Sequence, residues 1–144
     1  MRQLVTLAIL SLALAGCQLL PTRACTLAGC GNVVVFELAA HLAIDVEYDV
    51  EVCLDEFCDR QTLLLTAGPN EVAVEGNLSW DRASSTINLS LPDGTFNGRY
   101  RVRLAVRDED GRIVAETDTE TGFRREQPNG RDCPPVCWIT FVPV

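Results

Sequence analysis

Arg99-Tyr100-Arg101-Val102-Arg103-Leu104-Ala105-Val106-Arg107 alternates charged and apolar residues with a period of two. Successive side chains of an extended strand point to opposite faces, whereas a helix would spread the same residues around its circumference. The stretch therefore predicts a strand with Tyr100, Val102, Leu104 and Val106 turned inward and Arg99, Arg101, Arg103 and Arg107 outward. Upstream, residues 44–52 carry the complementary pattern, with apolar Ile44, Val46, Tyr48, Val50 and Val52 and acidic Asp45, Glu47, Asp49 and Glu51. Like charges side by side in a sheet repel, so the acidic and arginine ladders are expected to share one sheet, with Tyr48, Val50, Val102 and Leu104 beneath them.

The same period runs through the rest of the chain. Strands are predicted at residues 33–38, 59–66, 71–75, 85–91 and 112–119, with residues 138–142 as the last. Gly68-Pro69-Asn70, Pro92-Asp93-Gly94 and Asp108-Glu109-Asp110-Gly111 separate them as turns. No helical period competes after the first 16 residues. The expected fold is all-β, a sandwich of about seven to eight antiparallel strands over residues 31–144.

Gly98-Arg99-Tyr100-Arg101-Val102, followed by the Asp108–Gly111 turn, resembles the penultimate-strand region of an immunoglobulin-like domain. That resemblance implies an immunoglobulin-like β-sandwich in which Tyr100 forms a corner with the preceding loop. It implies no particular activity. Cys53 and Cys58 lie too close in sequence for the inter-sheet Cys-Trp-Cys arrangement of antibody domains.

Of 144 residues, 12 are basic and 20 acidic, giving a formal charge of -8. Every basic residue is arginine, and they form no block, so a nucleic-acid-binding role is set aside.

At the N-terminus, Arg2 precedes an uncharged apolar run from Leu4 to Leu14, and Leu14-Ala15-Gly16-Cys17 follows. A run of eleven residues falls short of the roughly 20 needed to span a bilayer and matches the core of a secretory signal. The four residues ending at Cys17 resemble the lipobox of bacterial lipoproteins. The resemblance implies a signal peptide over residues 1–16, cleavage before Cys17, and acylation of the Cys17 sulfur. Residues 17–30 then form a lipidated cysteine and short tether; the seven residues between Cys17 and Cys25 reach at most about 25 Å. Gln18, where an inner-membrane lipoprotein of proteobacteria would carry Asp, implies the outer membrane if the source has one. Leu27-Ala28-Gly29-Cys30 repeats the box letters, but Pro21, Thr22 and Arg23 interrupt the apolar run ahead of it.

Six further cysteines, Cys25, Cys30, Cys53, Cys58, Cys133 and Cys137, would then lie outside the cytoplasm, where disulfides persist. Fifteen pairings are possible. The simplest is three local bridges, 25 with 30, 53 with 58 across a hairpin mouth, and 133 with 137. The rival ties the lead-in to the C-terminal loop. The spacings are not the C-x2-C of zinc ribbons, and no C-x-x-C redox motif occurs.

Chemistry-bearing residues are sparse. His41, the single histidine, lies in an expected turn with Asp45 nearby and reads as a solvated loop residue. Asp108-x-Asp110-Gly111 suggests calcium, but an EF-hand register places Val106 and Thr117 where carboxylates are required, so an acidic turn is the expectation. Trp80, beside Asp81 and Arg82, is the better exposed candidate for sugar stacking, with Trp138 in the core. Carboxylate pairs for glycoside cleavage have no evident cleft. Asn77-Leu78-Ser79 and Asn88-Leu89-Ser90 have the glycosylation form, which carries little weight in a bacterium. The expected function is a non-enzymatic structural or interaction module anchored to the cell envelope, with an envelope protein as partner and neither cofactor nor metal. A carbohydrate- or calcium-binding module is the alternative.

Overall fold

A computed structural model describes residues 28–65 and 72–144, with the backbone alone for residues 72–75. The signal peptide, Cys17, Cys25 and the Gly68-Pro69-Asn70 turn lie outside the described residues. Ten strands make up two sheets, and no helix occurs among the described residues.

The first sheet contains β1 (Asn32–Glu37), β4 (Val72–Glu75), β5 (Leu78–Asp81), β6 (Thr86–Leu91), β9 (Arg124–Glu126) and β10 (Cys137–Pro143), in the order β4-β5-β6-β1-β10-β9. The second contains β2 (Val46–Leu54), β3 (Phe57–Leu65), β7 (Arg99–Arg107) and β8 (Ile113–Gly122), in the order β3-β2-β7-β8. The all-β sandwich expected from the alternation is thus present, with two corrections. There are ten strands, because β5 and β9 escaped the sequence reading. They are also not all antiparallel: β10 runs parallel to β1, pairing Val33 with Ile139 and Val35 with Phe141.

The alternation sorts the residues as expected. Val34 and Phe36 of β1, Val50 and Val52 of β2, Leu78 and Trp80 of β5, Ile87 and Leu89 of β6, and Val102 and Val106 of β7 are at most 1% exposed. They meet between the sheets in one core, which Tyr48, Leu63, Leu65, Leu104 and Val142 complete. One polar link joins the layers: the hydroxyls of Thr121 on β8 and buried Thr140 on β10 lie 2.7 Å apart.

β5 shows why a short strand was missed. Leu78-Ser79-Trp80-Asp81 alternates buried and half-buried residues over only four positions. Its turn is Gly76-Asn77, with Gly76 at φ 59 and Glu75 opposite Leu78. A two-residue Gly-Asn loop is a hairpin signal, and the signal was present in the sequence.

The lead-in is tied to the far end of the chain. The backbone N–H of Ala28 donates to Asn129 Oδ1 at 3.0 Å, and Asn129 Nδ2 donates back to the Ala28 carbonyl. Asn32, 8% exposed, donates to the Pro92 carbonyl and accepts from the Trp138 N–H. These buried amides supply backbone partners where the loops run past the sheet edge, groups that would otherwise be costly to bury.

Candidate functional site

The outer face of the second sheet is densely charged, and each strand contributes one column of it. β3 supplies Arg60; β2 supplies Glu47, Asp49 and Glu51; β7 supplies Arg99, Arg101, Arg103 and Arg107; β8 supplies Glu116, Asp118 and Glu120. The acidic and arginine ladders are adjacent in the sheet, with Asp49 opposite Arg107. Their principal partners, however, lie on the outer strands. Arg60 grips Asp49 through Nε and Nη2, and Arg101 grips Asp118 at 2.7 and 2.6 Å. Arg99 reaches Glu120 at 3.4 Å.

The two ladders thus share one sheet as expected, but Arg99 and Arg101 take their partners from β8 rather than from β2. β8 extends to Gly122, beyond the expected Thr119, and carries an acidic ladder of its own that takes the arginines of β7. The columns alternate in sign and largely neutralise one another, which leaves little net field for a charged partner. The shallow depression between Glu47, Asp49, Arg60, Arg107 and the Asp108–Gly111 turn, about 640 Å³, is lined by these same paired groups.

The forks hold their carboxyls charged. The Arg60 hydrogen bonds keep Asp49 below the ordinary aspartate value of 3.8, and Arg101 does the same for Asp118. A carboxyl whose pKa is lowered by folding contributes stability in full above its unfolded value, and that stability is lost as pH falls through the folded value. The melting temperature is expected to be flat from neutral pH down to about 5 and to fall below about 4. Reversing either Arg101 or Asp118 should lower it by about 1–4 °C at low salt, and the Arg101→Asp/Asp118→Arg double variant should recover most of the loss. Reversals at Glu47 and Asp49 combined with reversals at Arg101 and Arg103 should instead be additive. Thermal unfolding across pH and salt checks all of these.

The Asp108–Gly111 turn is occupied from within. Asp108 Oδ1 accepts from the N–H groups of Asp110 and Arg112, while the Arg112 guanidinium pairs with Asp108 Oδ2 and Asp110 Oδ2. Burial works against the Asp108 charge, but the Arg112 N–H and guanidinium outweigh it and lower the pKa. Carboxylates held this way are poor calcium ligands, because a cation would first have to displace the arginine.

His41 is exposed, and its Nδ1 is in close contact with Ser85 Oγ. Asp45 is not its hydrogen-bond partner among the described residues; the Asp45 N–H donates to the Leu65 carbonyl. Ser85 is 7% exposed, at φ 54, with its carbonyl accepting from the Leu38 N–H. The histidine thus fastens the segment between β1 and β2 to the β5–β6 turn.

Trp80 overturns an expectation outright. It is 1% exposed, in the core between the sheets, and offers no sugar platform. Asp81 and Arg82 follow it directly, but the period of two puts Trp80 on the same inward face as Leu78. Trp138 is half-buried. Phe96, Tyr100 and Phe123 form a cluster with ring centroids 4.9 to 5.9 Å apart. Tyr100 therefore packs on the loop before it, as the corner requires, but through its ring; among the described residues its hydroxyl makes no hydrogen bond.

The cysteines depart from the local scheme. Cys53 and Cys58 are directly opposite across the β2–β3 hairpin and are bonded, as expected. Cys30 bonds Cys137, at a sequence separation of 107 and a Cα distance of 6.0 Å, so neither the 25/30 nor the 133/137 bridge forms. Cys133 is disulfide-bonded as well. The reason is topological: parallel pairing brings the start of β1 beside the start of β10, a neighbour no local spacing reveals. Cys30, committed to this bond, has no free sulfur for a thioether, which disposes of the second box-like sequence.

The first sheet presents a different outer surface. Val33 and Val35 of β1 face Ile139 and Phe141 of β10, and Phe141 is 49% exposed with the Arg124 guanidinium 5.9 Å from its ring. Among the described residues, no cluster of three or more His, Cys, Asp or Glu side chains could hold a metal ion. No protein-family model, curated protein or solved structure matches the chain.

Proposed function

We propose that the protein is an exported bacterial lipoprotein, held to the membrane by acyl chains on Cys17, and that its sandwich is a non-enzymatic module that binds another protein of the cell envelope. The observation that carries this reading is the Cys30–Cys137 bond. It removes Cys30, the cysteine of the second box-like sequence, as a site of acylation and so supports Cys17, and such long-range bonds belong to an oxidising compartment. Two or more acyl chains hold a protein to a bilayer far better than one.

The sandwich is of the immunoglobulin-like kind in this reading. The runs β5-β6-β1 and β3-β2-β7-β8 correspond to strands D-E-B and C′-C-F-G of that architecture, with β10 in the place of strand A but parallel to its neighbour. The partner meets the apolar stripe of Val33, Val35, Ile139 and Phe141, since the charged face of the other sheet is already satisfied internally.

Two measurements in native envelopes test the proposal. Wild-type protein should fractionate with membranes, and Cys17→Ser should be released or left unprocessed; unchanged attachment would overturn the anchor. A photo-crosslinking residue at position 141 should give one discrete protein adduct, and the same probe at position 120 on the charged face should give none. An absent adduct, or equal adducts at both positions, would overturn the module.

A further inference from the structure

We infer that Cys53–Cys58 is a thiol–disulfide exchange site, open to low-molecular-weight thiols while the rest of the fold stays intact. Three observations converge on it. Cys58 is exposed at the surface, on edge strand β3, whereas Cys137 is 1% exposed and Cys133 4%. Exposed disulfides are the labile ones, because an attacking thiolate needs access to one sulfur.

Arg103 lies opposite Cys53 on β7, and its Nη2 is 3.9 Å from Cys58 Sγ. Among the described residues it is in no ion pair within 4.0 Å. Its cross-strand neighbour Asp118 is gripped by Arg101 and feels Arg103 only through space, so the one hydrogen bond of the Arg103 guanidinium among the described residues goes to the disulfide. A cation in contact with the sulfur stabilises the negative charge that spreads over the sulfurs during exchange, a short-range effect that the balanced charge of the face leaves in place.

The hairpin also does not depend on the bond for its shape. The loop is two residues, Asp55-Glu56, with Asp55 at φ 52. The Asp55 N–H donates to the Arg101 carbonyl, and Asp55 Oδ1 accepts from the Arg101 N–H at 2.8 Å. The turn is docked on β7 by the backbone whether or not the sulfurs are joined.

The step balances without an external oxidant. A thiolate RS⁻ attacks Cys58 Sγ, an R–S–S–Cys58 bond forms, the Cys53–Cys58 bond breaks, and Cys53 leaves with the electron pair as a thiolate. Attack by Cys53 on the mixed disulfide reverses the step and expels RS⁻. A second RS⁻ attacking the R sulfur instead gives RSSR and the dithiol.

The test uses the full chain in detergent micelles, reduced glutathione as the thiol, and alkylation followed by peptide mass mapping, with near-ultraviolet circular dichroism as the check on folding. Glutathione should open Cys53–Cys58 at concentrations that leave Cys30–Cys137 oxidised, with the glutathione adduct on Cys58 and the free thiol on Cys53. Arg103→Gln should slow the exchange about fivefold, the worth of one unit charge about 4 Å away through water, and Arg103→Lys should restore most of the rate. Opening only together with Cys30–Cys137, an adduct on Cys53, or an unchanged rate in Arg103→Gln would each overturn the inference.

Discussion

Trp80→Ala should cost about 3–5 kcal/mol of unfolding free energy, the range for emptying a large aromatic site in a packed core. Domains of this size are stable by about 5–15 kcal/mol, so the loss is a third or more of the total for most of that range and the urea midpoint should fall accordingly. The ring is buried between the sheets, cross-strand from Ile87. A solvent-facing tryptophan would cost within about 0.5 kcal/mol on truncation. Equilibrium urea unfolding separates the two outcomes. Trp80 Nε1 is buried with no hydrogen-bond partner, a group whose desolvation is uncompensated. Trp80→Phe removes that N–H and keeps most of the ring, so its cost should be below about 2 kcal/mol.

Replacing both Cys30 and Cys137 with serine should cost about 3–5 kcal/mol, because the bond closes a loop across a sequence separation of 107. On the chain-entropy account, the five-residue separation of Cys53 and Cys58 is worth only about 2 kcal/mol. Urea unfolding of the two double-serine variants should therefore rank them in that order. Equal losses would mean that the long bond constrains the unfolded chain no more than the short one.

The sequence made the sandwich legible wherever the alternation was long. The nine residues of β7 and the nine of β2 each state their own inward and outward faces, and the structure places Val50, Val102 and Leu104 in the core as that pattern demands. Where a strand is four or three residues long, as in β5 and β9, the period has too few repeats to stand out from loop sequence. Pairing was harder to read than burial. An acidic ladder next to an arginine ladder is satisfied equally well by partners on either side, and the carboxylates of β8 were the ones that decided. The disulfides followed the same rule: Cys53 and Cys58 share one hairpin and could be paired from spacing, whereas Cys30 and Cys137 meet only because the two ends of the chain run side by side.

That side-by-side arrangement governs when the molecule can fold. β10 is an interior strand of its sheet, between β1 and β9, yet it follows β1 in the chain by every other strand of both sheets, so a chain delivered from its N-terminal side presents β1 long before β10. Until β10 emerges, β1 has one neighbour, Phe36 lacks Val142 beside it, and Cys30 lacks its partner. Contacts so distant in sequence form slowly. A chain delivered in that direction can pair its second sheet first, and it closes its first sheet only after β10 has arrived.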